Sequence, residues 1–133
     1  MRISATVTNS PDAHEVQLRT GAAGQALRVA AKASGRGSAV NGGEFLMLAL
    51  ATCYCNDLFR EAERLGLVLH SVEVEASAEF AGIGLAASDI RYSASVQSAA
   101  SADEVARLLR QTDAVAEVHN TVRAGVPVVM HAA

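Results

Sequence analysis

Two cysteines, Cys53 and Cys55, lie inside one uninterrupted stretch, Asn41–Gly66 (NGGEFLMLALATCYCNDLFREAERLG). A thiol beside a cation or a base is a nucleophile, because the cation favours the thiolate and the base takes its proton. Read as a helix, the stretch turns by ~100° per residue, so residues two apart point nearly oppositely. Cys53 and Cys55 therefore cannot bridge each other while the helix is intact. Cys55 shares a face with Leu48, Ala51, Leu58, Phe59 and Ala62, which reads as core. Cys53 falls with Ala49, Leu50, Asn56, Asp57 and Arg60, where apolar residues give way to polar ones. Cys53 is thus the candidate nucleophile, Arg60 a candidate charge partner, and His119 a candidate base from a later helix. Glu44 reads first as a helix-start cap, although a carboxylate at the mouth of a thiol pocket could also orient an arginine. Glu117 joins His119 as a candidate pocket residue. The alternative for both thiols is the common fate of free cysteine, a small buried hydrophobe.

Other chemistries find less support. The four histidines, His14, His70, His119 and His131, are scattered, with no HxxxH or CxxC spacing, so neither a metal nor a cofactor is expected. No nucleophile-elbow serine is present. Lys32–Gly43 is rich in glycine but lacks the Gly-Lys-Ser/Thr ending of a phosphate-binding loop, and reads as a flexible lead-in to the long helix.

The elements that would hold these residues follow from periodicity. Ile3–Thr8, His14–Arg19 and Gln25–Ala31 alternate and read as a meander of three short strands, with Val16, Leu18, Leu27 and Val29 inward. Asn41 with Glu44 forms a capping-box pair for the long helix, and Gly66 is placed to end it. Val72–Phe80 alternates apolar with acidic residues, one face core and one wet, and Ile90–Val96 returns as its hairpin partner. Ser101 and Glu104 cap a second helix with a stripe of Val105, Leu108 and Leu109. Thr112-Asp113 reads as the cap of a further short helix ending at Gly125, and Val126–Met130 as a terminal edge strand. Strands and helices mix without βαβ regularity, which predicts an α+β fold of antiparallel sheets around a long central helix, in a single domain over 1–133.

With 133 residues, half of them hydrophobic, the chain can bury a sizeable core. A net charge of −3 and the lack of a basic run argue against nucleic acid or a membrane surface as partner. The N-terminus lacks the apolar core of a signal peptide, and no apolar run reaches the ~20 residues of a membrane span. Two closely spaced cysteines suit a reducing compartment, the cytoplasm.

Taken together, three N-terminal strands, an apolar helix carrying LALATC and closing on RLGL, the VEVEASAEF strand with its partner, and a DEVARLL helix resemble the OsmC/Ohr family over nearly the whole chain. The resemblance implies an intertwined homodimer in which two long central helices pack back to back. It also implies reduction of organic hydroperoxides. In that chemistry a peroxidatic cysteine in the central helix attacks the peroxide, a second cysteine resolves it, and an arginine and a glutamate activate the thiolate. Cys53 matches the peroxidatic position. The resolving position falls on Ala116, in Ala116-Glu117-Val118-His119. The position ten residues before Cys53 is Gly43, with Glu44 one later, and the loop Asn9–Asp12 has no arginine; Arg19, Arg28 and Arg36 are nearby but off the motif. On these positions the sequence resembles the broad OsmC-like branch more than the Ohr peroxidases.

Two readings follow. In one, Cys53 reduces organic or lipid hydroperoxides and an external thiol reductant restores it, which predicts a lowered Cys53 pKa and an accessible sulfur. In the other, a non-catalytic dimer binds a small apolar or thiol-reactive ligand, with Cys53 buried and unreactive and His119 and Glu117 lining a pocket.

Overall fold

A computed structural model describes residues 1–132. The architecture is α+β, with antiparallel sheets and three helices. The chain forms two compact units, Met1–Phe45 and the part from Leu46 onward.

The first unit is a meander, β1 (Ile3–Asn9), β2 (His14–Thr20) and β3 (Ala23–Ala26), in the order β1-β2-β3. Val7 opposes Val16 in the β1–β2 register, and Val16 is buried. β3 is earlier and shorter than the Gln25–Ala31 expected from sequence. Its pairing with β2 ends at Ala26, and Leu27 is exposed. Beyond it the chain turns into the loop before the long helix, where Ala31 bridges Ser38.

The long helix, α1, spans Gly42–Leu65 and starts on the capping box read from sequence. The Asn41 side-chain oxygen accepts from the Glu44 amide at 2.9 Å, and the Glu44 carboxylate accepts from the Asn41 amide at 2.8 Å. Gly66 ends the helix with φ +71°, a left-handed conformation that glycine adopts without Cβ strain.

In the second unit, β4 (Leu69–Glu79) pairs with β5 (Ser88–Ser98). Val72 faces Val96, Val74 faces Ala94 and Ala76 faces Tyr92, which builds one apolar face. Glu73, Glu75 and Glu79 point to the exposed side. The apolar face packs on Tyr54, Leu58 and Ala62 of α1, on Leu108 of α2 (Ala102–Val115) and on Ala116. The Ser101–Glu104 capping box starts α2.

Two helical boundaries differ from expectation. Thr112 and Asp113 do not cap a new helix: α2 runs through them to Val115, and the Thr112 hydroxyl turns back to donate to the Leu108 carbonyl at 2.8 Å. The break comes at Ala116, whose extended backbone separates α2 from α3 (Glu117–Ala124), which closes on left-handed Gly125. Residues 126–130 form no strand; Val128 and Met130 are almost fully exposed, and no strand partners them among the described residues.

The buried face of α1 is also rotated from the expected one. It comprises Leu50, Tyr54, Asp57, Leu58, Glu61 and Ala62, whereas Leu48 and Phe59 are exposed and Cys55 is half-buried. The cause is Tyr54, whose ring lies in the core and whose hydroxyl donates to the Leu109 carbonyl at 2.7 Å.

Candidate functional site

One face of α1 carries Cys53, Asp57 and Arg60 at i, i+4 and i+7, a spacing that stacks side chains along successive turns. The first turn of α3 adds Glu117. The Cys53 thiol donates to Asp57 Oδ2 at 3.5 Å and lies 4.0 Å from Glu117 Oε2. Arg60 Nη1 sits 2.9 Å from Asp57 Oδ1 and 3.7 Å from Glu117 Oε1, so one guanidinium ties both carboxylates. Glu61 holds the far side through Arg60 Nε at 3.4 Å and Arg64 Nε at 2.7 Å. The structure therefore gathers Cys53, Arg60 and Glu117 around Asp57.

The electrostatics of this cluster favour a protonated thiol. Burial pushes the Cys53 thiol above its ordinary 9.0, and the Asp57 and Glu117 carboxylates push the same way. The Val118 backbone at the start of α3 opposes them by hydrogen bonding to the sulfur. The lowered thiol pKa expected of an activated cysteine is thus reversed. Arg60, the expected partner, spends its charge on the carboxylates between it and the sulfur. Asp57 is itself raised above 3.8, first by burial and then by Glu117, against the lowering effects of Cys53 and Arg60. The sulfur and one oxygen from each carboxylate lie within 4.8 Å of one another, close enough to share a cation. Arg60 supplies the positive charge there.

His119 is on the same helix as Glu117 but serves another neighbourhood. It is 3% exposed, and neither ring nitrogen has a hydrogen-bond partner among the described residues. The imidazole packs edge-on against Tyr92, with centroids 4.5 Å apart, and lies 5.7 Å from the Tyr54 ring. Tyr92 in turn donates to Asp113, which Arg123 Nη2 holds at 2.6 Å. A cavity of about 130 Å³ opens beside His119, lined by Leu50, Ile90, Tyr92, Val122 and Arg123. Glu117 is not in its wall. Cys53 hydrogen-bonds to the carboxylates, not to the imidazole.

Glu44 is engaged with the Asn41 amide in the helix cap. Arg36 donates from Nε to Asn9 Oδ1 at 2.8 Å and from Nη2 to the Asn9 carbonyl at 3.3 Å. A guanidinium thus rests on the Asn9–Asp12 loop although that loop contains no arginine. Ala116, on which the sequence resemblance places a resolving cysteine, is fully buried in the core.

Asp57 was not singled out from sequence as a site residue. Its signal was there: a carboxylate four residues after a cysteine on one helix must lie within reach of it. It reads as part of a solvated polar face until the burial is known, and Asp57 is only 5% exposed.

Residues 35–131 match the family described as OsmC-like protein. Among solved structures, an OsmC-like protein from Mycoplasma pneumoniae superposes with a TM-score of 0.66 at 16% identity, covering 92% of this chain and 88% of that one. An organic hydroperoxide resistance protein from Elizabethkingia anophelis gives 0.62 at 17% identity, covering 92% and 89%. An organic hydroperoxide resistance protein OsmC from Legionella pneumophila gives 0.60 at 16%, covering 92% and 90%. At these identities the likeness is one of fold. No curated protein matches the sequence significantly. No helix among the described residues is long and apolar enough to cross a membrane.

Proposed function

The chain belongs to the OsmC-like protein family, and we propose that it is a one-cysteine, thiol-dependent reductase of organic hydroperoxides. The observation that carries this reading is the half-buried Cys53 sulfur, held on the central helix in contact with a carboxylate and the start of α3. Two proteins of the same fold are described as organic hydroperoxide resistance proteins, which supports the substrate class. The Cys53 sulfur attacks the terminal peroxide oxygen, the O–O bond breaks, and a sulfenic acid and an alcohol result. Ala116 offers no thiol, so an external thiol condenses with the sulfenic acid, releasing water, and a second one frees Cys53 as a disulfide leaves. Burial and the neighbouring carboxylates hold Cys53 as the thiol, so turnover is slow.

In this proposal the chain works as one domain and as a homodimer in the reducing cytoplasm. The exposed stripe of Leu48, Thr52 and Phe59, with half-buried Cys55 between them, is the α1 face that a second copy covers. A second reading, non-catalytic binding of a small apolar ligand, is favoured by the cavity beside His119.

The test is consumption of an organic hydroperoxide with a dithiol reductant, with Cys53 followed by intact mass and Cys53→Ser as control. Turnover that disappears in Cys53→Ser, with a transient sulfenic adduct, is expected. Cys53 that stays reduced under excess peroxide would leave the binding reading.

A further inference from the structure

Asp57 presents its two carboxylate oxygens to different partners. Oδ2 accepts from the Cys53 thiol at 3.5 Å, and Oδ1 faces Arg60 Nη1 at 2.9 Å. The residue is 5% exposed, so water does not compete freely for either oxygen. Glu117 is the only other carboxylate near the sulfur among the described residues; it stands at 4.0 Å with a side chain that is 71% exposed. Of the two, Asp57 is nearer, better shielded and fixed in direction by its cation.

A protonated thiol is a poor nucleophile, and an alkoxide is a poor leaving group unless protonated. One group that first accepts and then donates a proton solves both problems. We propose that Asp57 is a catalytic residue that carries the Cys53 proton, taking it as the sulfur attacks the hydroperoxide and delivering it to the departing alkoxide oxygen. This assignment rests on the hydroperoxide reading above. Atoms and electrons balance without a further reactant. The S–H and O–O bonds break, an S–O bond and an alcohol O–H bond form, sulfur is oxidised, and the peroxide oxygens are reduced. The hydroxyl transferred to sulfur keeps its own hydrogen, and Asp57 ends as it began. The charged and titratable groups facing Asp57 are Cys53 and Arg60 from its own helix and Glu117 from α3; Asp57 acts on His119 only through space, as a charge that raises its pKa. Arg60 is the positioning residue, because it restrains Oδ1 and so aims Oδ2 at sulfur.

The two reactions of a thiol separate this role from a structural one. Alkylation by iodoacetamide needs the sulfur anion but no proton delivery, whereas peroxide reduction needs both. Asp57→Asn removes a negative charge beside the sulfur, so Cys53 alkylation at pH 7 is expected to hold or rise. Single-turnover oxidation by tert-butyl hydroperoxide is expected to fall about a hundredfold or more, the typical scale of a lost acid–base group. Both rates moving in the same direction, or unchanged oxidation, would overturn the assignment. If Asp57→Asn does not fold, the wild type decides: oxidation flat between about pH 6 and 8 while alkylation climbs supports internal proton transfer, and parallel climbs overturn it. A wild-type Cys53 that alkylates but is never oxidised ends the hydroperoxide reading, and the Asp57 role with it; that result is visible before any variant is made.

Discussion

The His119 imidazole stands edge-on to the Tyr92 ring, with centroids 4.5 Å apart and planes at 62°. An imidazole packed in this way, with both nitrogens unpartnered among the described residues, favours its neutral form: burial lowers its pKa below the ordinary 6.5 and Arg123 lowers it further, against the Asp113 and Asp57 carboxylates. In the unfolded chain the same ring gains its proton near 6.5, so acid favours unfolding. The stability tied to a neutral His119 is fully present above 6.5 and lost as pH falls from there through the folded value. The slope is at most about 1.4 kcal/mol per pH unit for one proton. Asp57 acts oppositely, since its raised pKa favours the folded state on protonation, but in a window that begins at 3.8. Denaturant titrations at several pH values check this. His119→Phe should flatten the loss below pH 6.5 and stabilise the protein by about 1 kcal/mol at neutral pH, having no unpaired nitrogens to desolvate.

Glu117→Gln removes one of the two carboxylates that raise the Cys53 pKa while leaving the Asp57 contact in place. The alkylation profile of Cys53 should shift toward lower pH, with a rate at pH 7 about two- to fivefold above wild type. An unchanged profile would mean that solvent screens the 4.0 Å approach completely.

In the proposed hydroperoxide chemistry, Ala116→Cys would place a second thiol immediately before the α3 residues that meet the Cys53 sulfur. Peroxide should convert the variant to an intramolecular disulfide, seen by intact mass and reversed by dithiol. Ala116 is fully buried, so the added sulfur overpacks the core and should cost about 1–3 kcal/mol in the reduced form.

The exposed α1 stripe predicts a change of oligomeric state. If the proposed homodimer forms through this stripe, Phe59→Glu places a charge where the second copy would cover the ring, and sedimentation should show wild-type dimer and variant monomer. Phe59 is exposed and outside the core cluster, so folding of the single chain should survive the change.

Much of the fold was legible because several elements carry two independent signals. The central helix has both a capping box and a glycine stop, and β4 has unbroken alternation with glutamates on one face. Thr112 misled because a threonine followed by aspartate looks like a cap. A buried hydroxyl can instead bond to the carbonyl one turn back and let the helix continue. Residues 126–130 alternate poorly around Pro127, and hydrophobic composition alone suggested a strand. The site was legible to the extent that its members are close in sequence, as Cys53 and Arg60 are. Periodicity could not tell that Tyr54 would turn the helix so that Asp57 is buried, nor that Glu117 and His119, two residues apart, would serve separate neighbourhoods.

The stability of helix α2 offers a last check. Ser101→Ala removes the side-chain acceptor of the Glu104 amide and half of a reciprocal cap, and should cost about 1 kcal/mol by chemical denaturation. Leu108→Ala, at a fully buried position in the core, should cost about 2–5 kcal/mol.

Cys53 and Asp57 sit one turn apart on a single helix, whereas Glu117 arrives from a segment 64 residues distant from the cysteine. The first relationship is written into helical pitch and needs only that α1 be wound; the second exists only while α3 is docked. A fluctuation that peels α3 away would remove a carboxylate and the Val118 amide from the sulfur yet leave its nearest carboxylate in place. The local pair is therefore the invariant of the site and the docked helix its adjustable part. Shifts in α3, by sequence drift or by a bound molecule, can retune the thiol without dismantling it.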